Sequence, residues 1–528
     1  MKSLIHEIVS EALFSLHFLS SGEEVSFDIL SPPKPEMGDY STNVSMILAT
    51  KLKRKPFAIA EEIAEYLGKD SRFAQARAVH PGYVNIFLSD QIIFGVLETI
   101  LRNNTPFDLV RKEQPEHILV EFISSNPTGP IHLGNARGGP VGDTVARVLE
   151  KIGHTVHREF YVNDFGRQIE VLGHSILKDE QAQYRGAYID ALAQEKPQDL
   201  SLAKEVGMWA GRCILELYIR PTCEKLGIEF DRFFLESSLH KEKKIEAVTH
   251  LLRDKNLVYE KDGALWYRST SLGDDKDRVI VRTDTTSTYR LADFAYHKDK
   301  FDRGFTRLIT VLGADHLSEA KEMKSYIENI LEKKDSYQFI ITQFVRIMKD
   351  GEEVKMSKRK GTYYAMDDLI EEVGRDAVRF IFLSYACGSH IRFDINLAKE
   401  QSEKNPVFYV QYAHARMCGI LRNADTPSIS DTEFSQKQFV HEKERSLALE
   451  ILRFYDVFET VATTYETHRL PQYARELADA FHSFYAVCRV IDENDPQRSE
   501  ARLNLVRVAK ILLSGTLDLC GVSSPEKM

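Results

Sequence analysis

At 528 residues the chain is too long for one hydrophobic core of ordinary size, so about two to four domains are expected. With 43% apolar and 28% charged residues it has the apolar surface to fold and too little net charge for disorder, and no apolar run approaches the roughly 20 residues of a membrane-spanning helix. The net charge of −10 argues only weakly against a nucleic-acid partner, because a polyanion is held by local Lys and Arg on one face and not by the total.

The opening ten residues mix charges among apolar positions and lack the apolar core of a secretion signal, which places the chain in the cytoplasm. The first hundred or so residues read as a small domain of mixed helix and strand. Residues 57–67 have helical apolar spacing, residues 82–88 alternate as a strand does, and Asn103, Asn104, Thr105 and Pro106 form the exit to a linker. Lys51, Lys53, Arg54 and Lys55 are the densest basic cluster of this region, read as a solvated helix end in preference to an RNA contact. From His117 short apolar strands are followed by helices, the pattern of a parallel sheet with crossover helices. Residues 117–123 form the first strand, 156–162 a second and 308–312 a later one. The stretch 169–258 is richer in helical periodicity and reads as an insertion. After Ser384 the strand signals stop, and residues 406–422, 442–464, 472–490 and 502–517 all have helical spacing.

The expected architecture is therefore α/β: a Rossmann-type parallel-sheet domain over 109–384, an α+β domain over 1–108, and an all-helical domain over 385–528. The six cysteines, Cys213, Cys223, Cys387, Cys418, Cys488 and Cys520, lack the close pairing of a zinc knuckle or redox motif. They read as reduced, mostly buried thiols, and no structural zinc is expected.

Two segments carry chemistry. The segment 124–135 leaves the first strand, turns through Pro127, Gly129 and Pro130, and enters a helix running toward Ile152. A strand, loop and helix start at the carboxyl edge of a parallel sheet is where such folds bind phosphate-bearing ligands. Gly134 would let the nucleotide approach the backbone, and His132 can donate a hydrogen bond as charge builds at a phosphorus. Pro140 lies near the start of that helix, where a missing backbone donor is tolerable. Far downstream, residues 355–361 place three lysines and an arginine before a glycine, preceded by a hairpin-like turn at Asp350 and Gly351. Either segment alone is weak; in this order, with a parallel sheet between them, the pair resembles the two signature motifs of class I aminoacyl-tRNA synthetases, here His-Leu-Gly-Asn at 132–135 and Lys-Met-Ser-Lys at 355–358.

In that chemistry an amino-acid carboxylate attacks the α-phosphorus of ATP, and positioning plus positive charge are sufficient without a nucleophilic side chain. The resemblance implies that His132, Lys355 and Lys358 stabilise the developing charge. It implies that Gly129, Gly134, Asn135, Met356 and Ser357 help them hold ATP, with Mg2+ on its phosphates. Asn135 replaces the usual last histidine; it can donate a hydrogen bond but carries no charge.

A guanidinium is best recognised by carboxylates around it. Glu121 sits at the end of the first strand and Asn126 on the following loop, while Tyr289 and Asp293 lie one helical turn apart. These positions, with segments 35–40, 161–168, 312–316 and 405–416, resemble the arginyl-tRNA synthetase family over nearly the whole chain. The resemblance implies that Glu121, Ser124, Asn126, Tyr289 and Asp293 bind arginine. It further implies that the N-terminal domain touches the tRNA elbow, that the helical domain reads the anticodon, and that the enzyme is a monomer acting on tRNA(Arg). Tyr409, Gln411, Tyr412, Tyr485 and Arg489 are the candidate anticodon contacts, since unpaired bases stack on aromatic and guanidinium planes. Two rival readings stay open at this point: a cysteine or glutamate type of the same class, and a catalytically silent RNA-binding relative.

Overall fold

Ile118, Leu119 and Val120 are all fully buried, as a strand covered on both faces must be, and they form the centre of a five-stranded sheet in which every pairing is parallel. The computed structural model describes residues 1–111, 114–354, 364–424 and 439–528. Four strands precede that sheet: β1 (Ile29–Leu30), β2 (Tyr40–Thr42), β3 (Phe73–Val79) and β4 (Tyr83–Leu88), an antiparallel sheet of order β1-β2-β4-β3. Helices Pro56–Leu67 and Asp90–Asn103 belong to the same N-terminal unit, and the second ends with Asn104 in the left-handed region. Lys51 pairs with Glu23 at 2.5 Å and Arg54 with Glu62, so two of the four basic residues are engaged on the surface.

The central sheet consists of β5 (His117–Glu121), β6 (Thr155–Val162), β7 (Arg232–Leu235), and later β11 and β12, in the order β12-β11-β5-β6-β7. Between them β8 (Val258–Lys261), β9 (Ala264–Tyr267) and β10 (Arg278–Val281) make a small antiparallel sheet, after which come β11 (Arg307–Gly313) and β12 (Tyr337–Thr342). The chain runs from β5 outward through β6 and β7, then returns to the other side of β5 with β11. The carboxyl ends of β5 and β11 thus flank a topological switch point, where ligands of open α/β sheets bind.

Two expectations are corrected. The stretch 169–258 is mostly helical but contains β7, an edge strand of the central sheet, so it does not stand outside that sheet. Strands also continue past Ser384: β15 (Ile391–Asp394) pairs in parallel with β13 (Val345–Lys349), which forms a hairpin with β14 (Glu352–Glu353). β7 and β15 are each only four residues long and are specified by partners distant in sequence.

Helices Arg167–Leu177 and Ala203–Ile214 cross at backbone contact. A Cβ on Gly173 would sit 1.7 Å from the carbonyl oxygen of Ala203, and one on Gly207 1.8 Å from that of Ile169. Helix Gly138–Ile152 seats against the end of β5 in the same manner, since a Cβ on Gly142 would lie 2.3 Å from the ring of Phe122.

The C-terminal region is built from helices Pro406–Arg422, Glu442–Thr464, Arg469–Val487 and Pro496–Leu519. Pro occupies the first turn of the first and last, and Asn405, His441 and Asp495 cap three of the four with a side-chain acceptor. The N-terminal unit is fastened to this bundle by Arg445, which donates to both oxygens of Asp39 at 3.0 and 2.9 Å, and by Tyr40, whose hydroxyl donates to Asp456 at 2.8 Å. No helix among the described residues is long and apolar enough to cross a membrane.

Candidate active site

The loop after β5 begins with an uncommon backbone. Ile123 and Ser124 have φ of 69° and 40°, and the Ser124 amide donates to the Phe122 carbonyl at 3.0 Å, a γ-turn centred on a β-branched residue. Such a conformation is strained and is held only where its surroundings demand it. Here the turn brings the Ser124 hydroxyl to one oxygen of Glu121 at 2.9 Å, while the same hydroxyl accepts from the Tyr161 amide at 3.1 Å. The loop is thereby tied to the carboxyl ends of both β5 and β6.

His132 starts the short helix Leu133–Ala136. Its Nδ1 accepts from the Gly134 amide at 3.1 Å, which caps the helix and puts the ring proton on Nε2. A Cβ on Gly134 would lie 3.0 Å from the imidazole, so the glycine also protects the placement of His132. Asn135 follows in the same helix. Gly129 faces Tyr188, whose hydroxyl donates to the Thr128 carbonyl at 2.9 Å and fixes the turn, and Asn126 is exposed beside it.

Lys355, Met356, Ser357 and Lys358 lie outside the described residues. The chain on either side of them is defined. Ala365 forms an antiparallel bridge with His132, and the Met366 amide donates to the Ile131 carbonyl at 3.0 Å, so the segment leaving the lysine-rich stretch runs directly against the histidine turn. Glu372 binds both flanks: it accepts from Lys349 of β13 at 2.8 Å and from the Tyr364 hydroxyl, and also from Lys399 at 2.8 Å. Those three donors hold its pKa down at about 2.

The acids define the rest. Helix Tyr289–Asp302 lays one face on the sheet. Glu121, 6% exposed, has its second oxygen taken by Lys300, 0% exposed, at 2.7 Å. On the adjacent strand Glu159 lies in register with Glu121 and is neutralised by both terminal nitrogens of Arg303, at 2.6 and 2.7 Å, with Tyr296 donating as well. Asp293, two turns before Lys300, has no hydrogen bond or ion pair to its carboxyl among the described residues. Burial, then the charges of Glu236 and Glu121, push its pKa up to about 8. Tyr289 stands at the start of the same helix, 54% exposed. The expected arginine ligands Glu121, Ser124, Tyr289 and Asp293 are thus gathered at one end of the sheet.

Sequence reasoning missed Glu236 and Lys300. Glu236 follows β7 immediately, at the same carboxyl edge. It is buried, bonded to the Tyr161 hydroxyl, and reached at 2.9 Å by the Asn163 amide. Ser237 donates twice to Asp164, at 2.8 and 2.7 Å, and fixes the start of the short helix Glu236–Lys241. The available signal was an acid directly after an apolar strand, hidden inside a stretch read as helical.

In the helical domain Tyr409, Tyr412 and Tyr485 cluster with two residues not anticipated, His482 and Arg416. The Tyr409 ring lies 5.4 Å from His482, and the Arg416 guanidinium lies 4.5 Å over Tyr485. Gln411 turns away from this group and donates to Asp376 at 2.9 Å and the Ser523 carbonyl at 3.0 Å, joining the bundle to the catalytic region. Arg489 lies beyond the end of helix Arg469–Val487 and is exposed.

Three protein-family models match the chain. One, described as the arginyl tRNA synthetase N terminal domain, covers residues 2–88. A second, described as the class I (R) tRNA synthetase catalytic domain, covers 96–197 and 206–382, and a third, the DALR anticodon binding domain, covers 410–528. Among curated proteins the chain is 38% identical to an arginine–tRNA ligase of Syntrophotalea carbinolica over the whole of both. It is 39% identical to one of Bacillus subtilis over 100% of this chain and 99% of that protein. Among solved structures the fold matches the arginyl-tRNA synthetase of Thermus thermophilus with a TM-score of 0.81 over 100% of both chains, at 23% identity.

Proposed function

From the premise that the chain belongs to the arginyl-tRNA synthetase family, and so is a class I ligase that uses ATP to attach arginine to tRNA, we propose how its own residues divide that work. The observation that carries the assignment is the half-buried carboxyl of Asp293, set among acids and, among the described residues, without a donor at the sheet edge that also bears the histidine turn. A partly desolvated carboxylate among like charges is costly to ionise, and a permanently charged guanidinium relieves that cost while filling both oxygens in a fork.

Asp293 is the principal guanidinium ligand. Glu121, already balanced by Lys300, contributes its charge and fixes Ser124, and Tyr289 closes the pocket. Asn126 holds the amino-acid end. His132, with its proton on Nε2, donates toward the α-phosphate as charge develops there. Gly129, Gly134 and Asn135 receive the nucleotide, and Lys355, Met356, Ser357 and Lys358 complete its phosphate contacts. Mg2+ accompanies the triphosphate and neutralises part of its charge.

We also propose the division 1–108, 109–384 and 385–528, with the first unit on the tRNA elbow and the last on the anticodon through Tyr409, Tyr412 and Tyr485. A monomer working in the cytoplasm completes the reading. Pyrophosphate exchange into ATP, run with tRNA and each of arginine, lysine, cysteine and glutamate, tests it. Exchange with arginine alone is expected. Exchange with another amino acid and not arginine overturns the pocket, and none at all favours a silent relative. Lys358→Ala should slow adenylate formation and leave arginine affinity nearly unchanged; an unaltered rate removes that role.

A further inference from the structure

Among the described residues two arginines are less than 2% exposed, and they are enclosed differently. Arg379, 0% exposed, meets a carboxylate: its Nη2 donates to Asp143 at 2.6 Å, with the Leu226 and Cys520 carbonyls satisfying the rest. Arg137, 1% exposed, meets none; no acid of the described residues lies within ion-pair distance of it. Its Nη1 donates to the carbonyls of Gln343 at 2.9 Å and Ser389 at 2.6 Å, and its Nη2 to those of Tyr385 at 3.3 Å and Ala386 at 2.8 Å.

The four carbonyls mark a seam. Gln343 follows the last residue of β12, and Tyr385 to Ser389 form the turn between helix Arg375–Leu383 and β15. The Gln343 amide bonds the Cys387 carbonyl at 2.9 Å, and the Ile391 amide bonds the Phe344 carbonyl at 3.2 Å. Here the central sheet gives way to the sheet of β13, β14 and β15, and four backbone acceptors converge with no strand to pair with. Buried acceptors need donors. The forked guanidinium supplies them from one side chain at fixed angles, which neither a neutral group nor the point charge of a lysine can do.

Arg137 itself follows Ala136, the last residue of the short helix that His132 caps. Its backbone thus belongs to the histidine turn and its side chain to the seam, from which β13 departs toward residue 355. We infer that Arg137 is a positioning residue for adenylate formation, fixing the histidine turn against the sheet that leads to the lysine-rich segment. The inference rests on the synthetase reading above and adds to it the residue that holds the histidine turn in one geometry with β13. Arg137 does not touch substrate in this scheme; it acts through His132 and β13.

The test uses the full chain with ATP, arginine and a tRNA(Arg) transcript. Arg137→Lys keeps a charge and loses the fork, and Arg137→Met loses both. For Arg137→Lys, pyrophosphate exchange should slow by about 100-fold, the size expected when reacting groups are misplaced by an ångström, with the KM for ATP raised and the KM for arginine within about twofold. Arg137→Met should be slower still. Hydrogen exchange gives a readout independent of activity: in the wild type the amides of 131–136 and 343–349 should open together, and in Arg137→Lys both should lose protection together. Wild-type segments that open independently, Arg137→Lys at full exchange rate, or equal rises in both KM values each overturn the inference. A wild-type chain that exchanges no pyrophosphate with arginine overturns the synthetase reading instead.

Discussion

Two ends of one helix, Tyr289–Asp302, put charge into the same sheet edge in opposite states. At its far end Lys300 and Arg303 meet Glu121 and Glu159, with every carboxylate oxygen of the pair bonded. Two turns earlier burial and the like charges of Glu236 and Glu121 outweigh the pull of Lys300 on Asp293, which waits at a pKa of about 8. The first arrangement is closed and serves the fold, because each buried ion has its counter-ion at salt-bridge distance. The second is open, and the missing cation is what a substrate brings.

The comparison can be broken most forcefully at the closed end. Lys300→Met leaves Glu121 buried without its partner and should lower unfolding free energy by about 3–5 kcal/mol, read by denaturant titration. A change below 1 kcal/mol would mean that the pair is not structural. At the open end the signs reverse. Asp293→Asn should raise the KM for arginine by about 100-fold, roughly 2.7 kcal/mol, leave that for ATP within about twofold, and leave the ligand-free protein as stable or more so. Equal effects on both substrates would make Asp293 part of the fold as well.

Proton linkage sharpens the same contrast. With Asp293 raised to about 8 when the pocket is empty, and a guanidinium requiring it ionised, arginine affinity should climb about tenfold from pH 6 to pH 7 and level off above pH 8. Binding near neutrality should release a proton, measurable by calorimetry in buffers of different ionisation heat. Ligand-free stability should correspondingly decline as pH rises from the ordinary carboxylate range through 8, since the folded state favours the protonated form. Asp293→Asn should abolish both trends. The smallest change expected is from Tyr161→Phe, which takes a hydroxyl from Glu236 and should raise the arginine KM by about three- to tenfold, the worth of one ordinary hydrogen bond. No change would place Glu236 outside the pocket.

How much of this could be read from the chain depends on how local the cause is. The helices 406–422 and 442–464 were legible to the residue, because apolar period and capping residues are written within each segment. The strand ending at Glu121 and the helical turn joining Tyr289 to Asp293 were legible for the same reason. The segment Ile391–Asp394 was not: four residues alternating buried and exposed say little until β13 lies beside them. Glu236 and Lys300 escaped because their meaning lies in what faces them across the sheet. Gln411 shows the reverse limit, since its place beside two tyrosines in sequence does not fix which way it points on a helix.

The crossing at Gly173 and Gly207 has an evolutionary corollary. Because the two helices touch backbone to backbone, with less than 2 Å for any added carbon, neither glycine has an acceptable replacement, and the crossing is secured at one point. The 25 or so residues joining the helices are fixed only in part: Tyr188 among them holds the Thr128 carbonyl, and Ile189 and Leu192 beside it are buried, so length can change elsewhere in the connection at little entropic penalty while that anchor must stay.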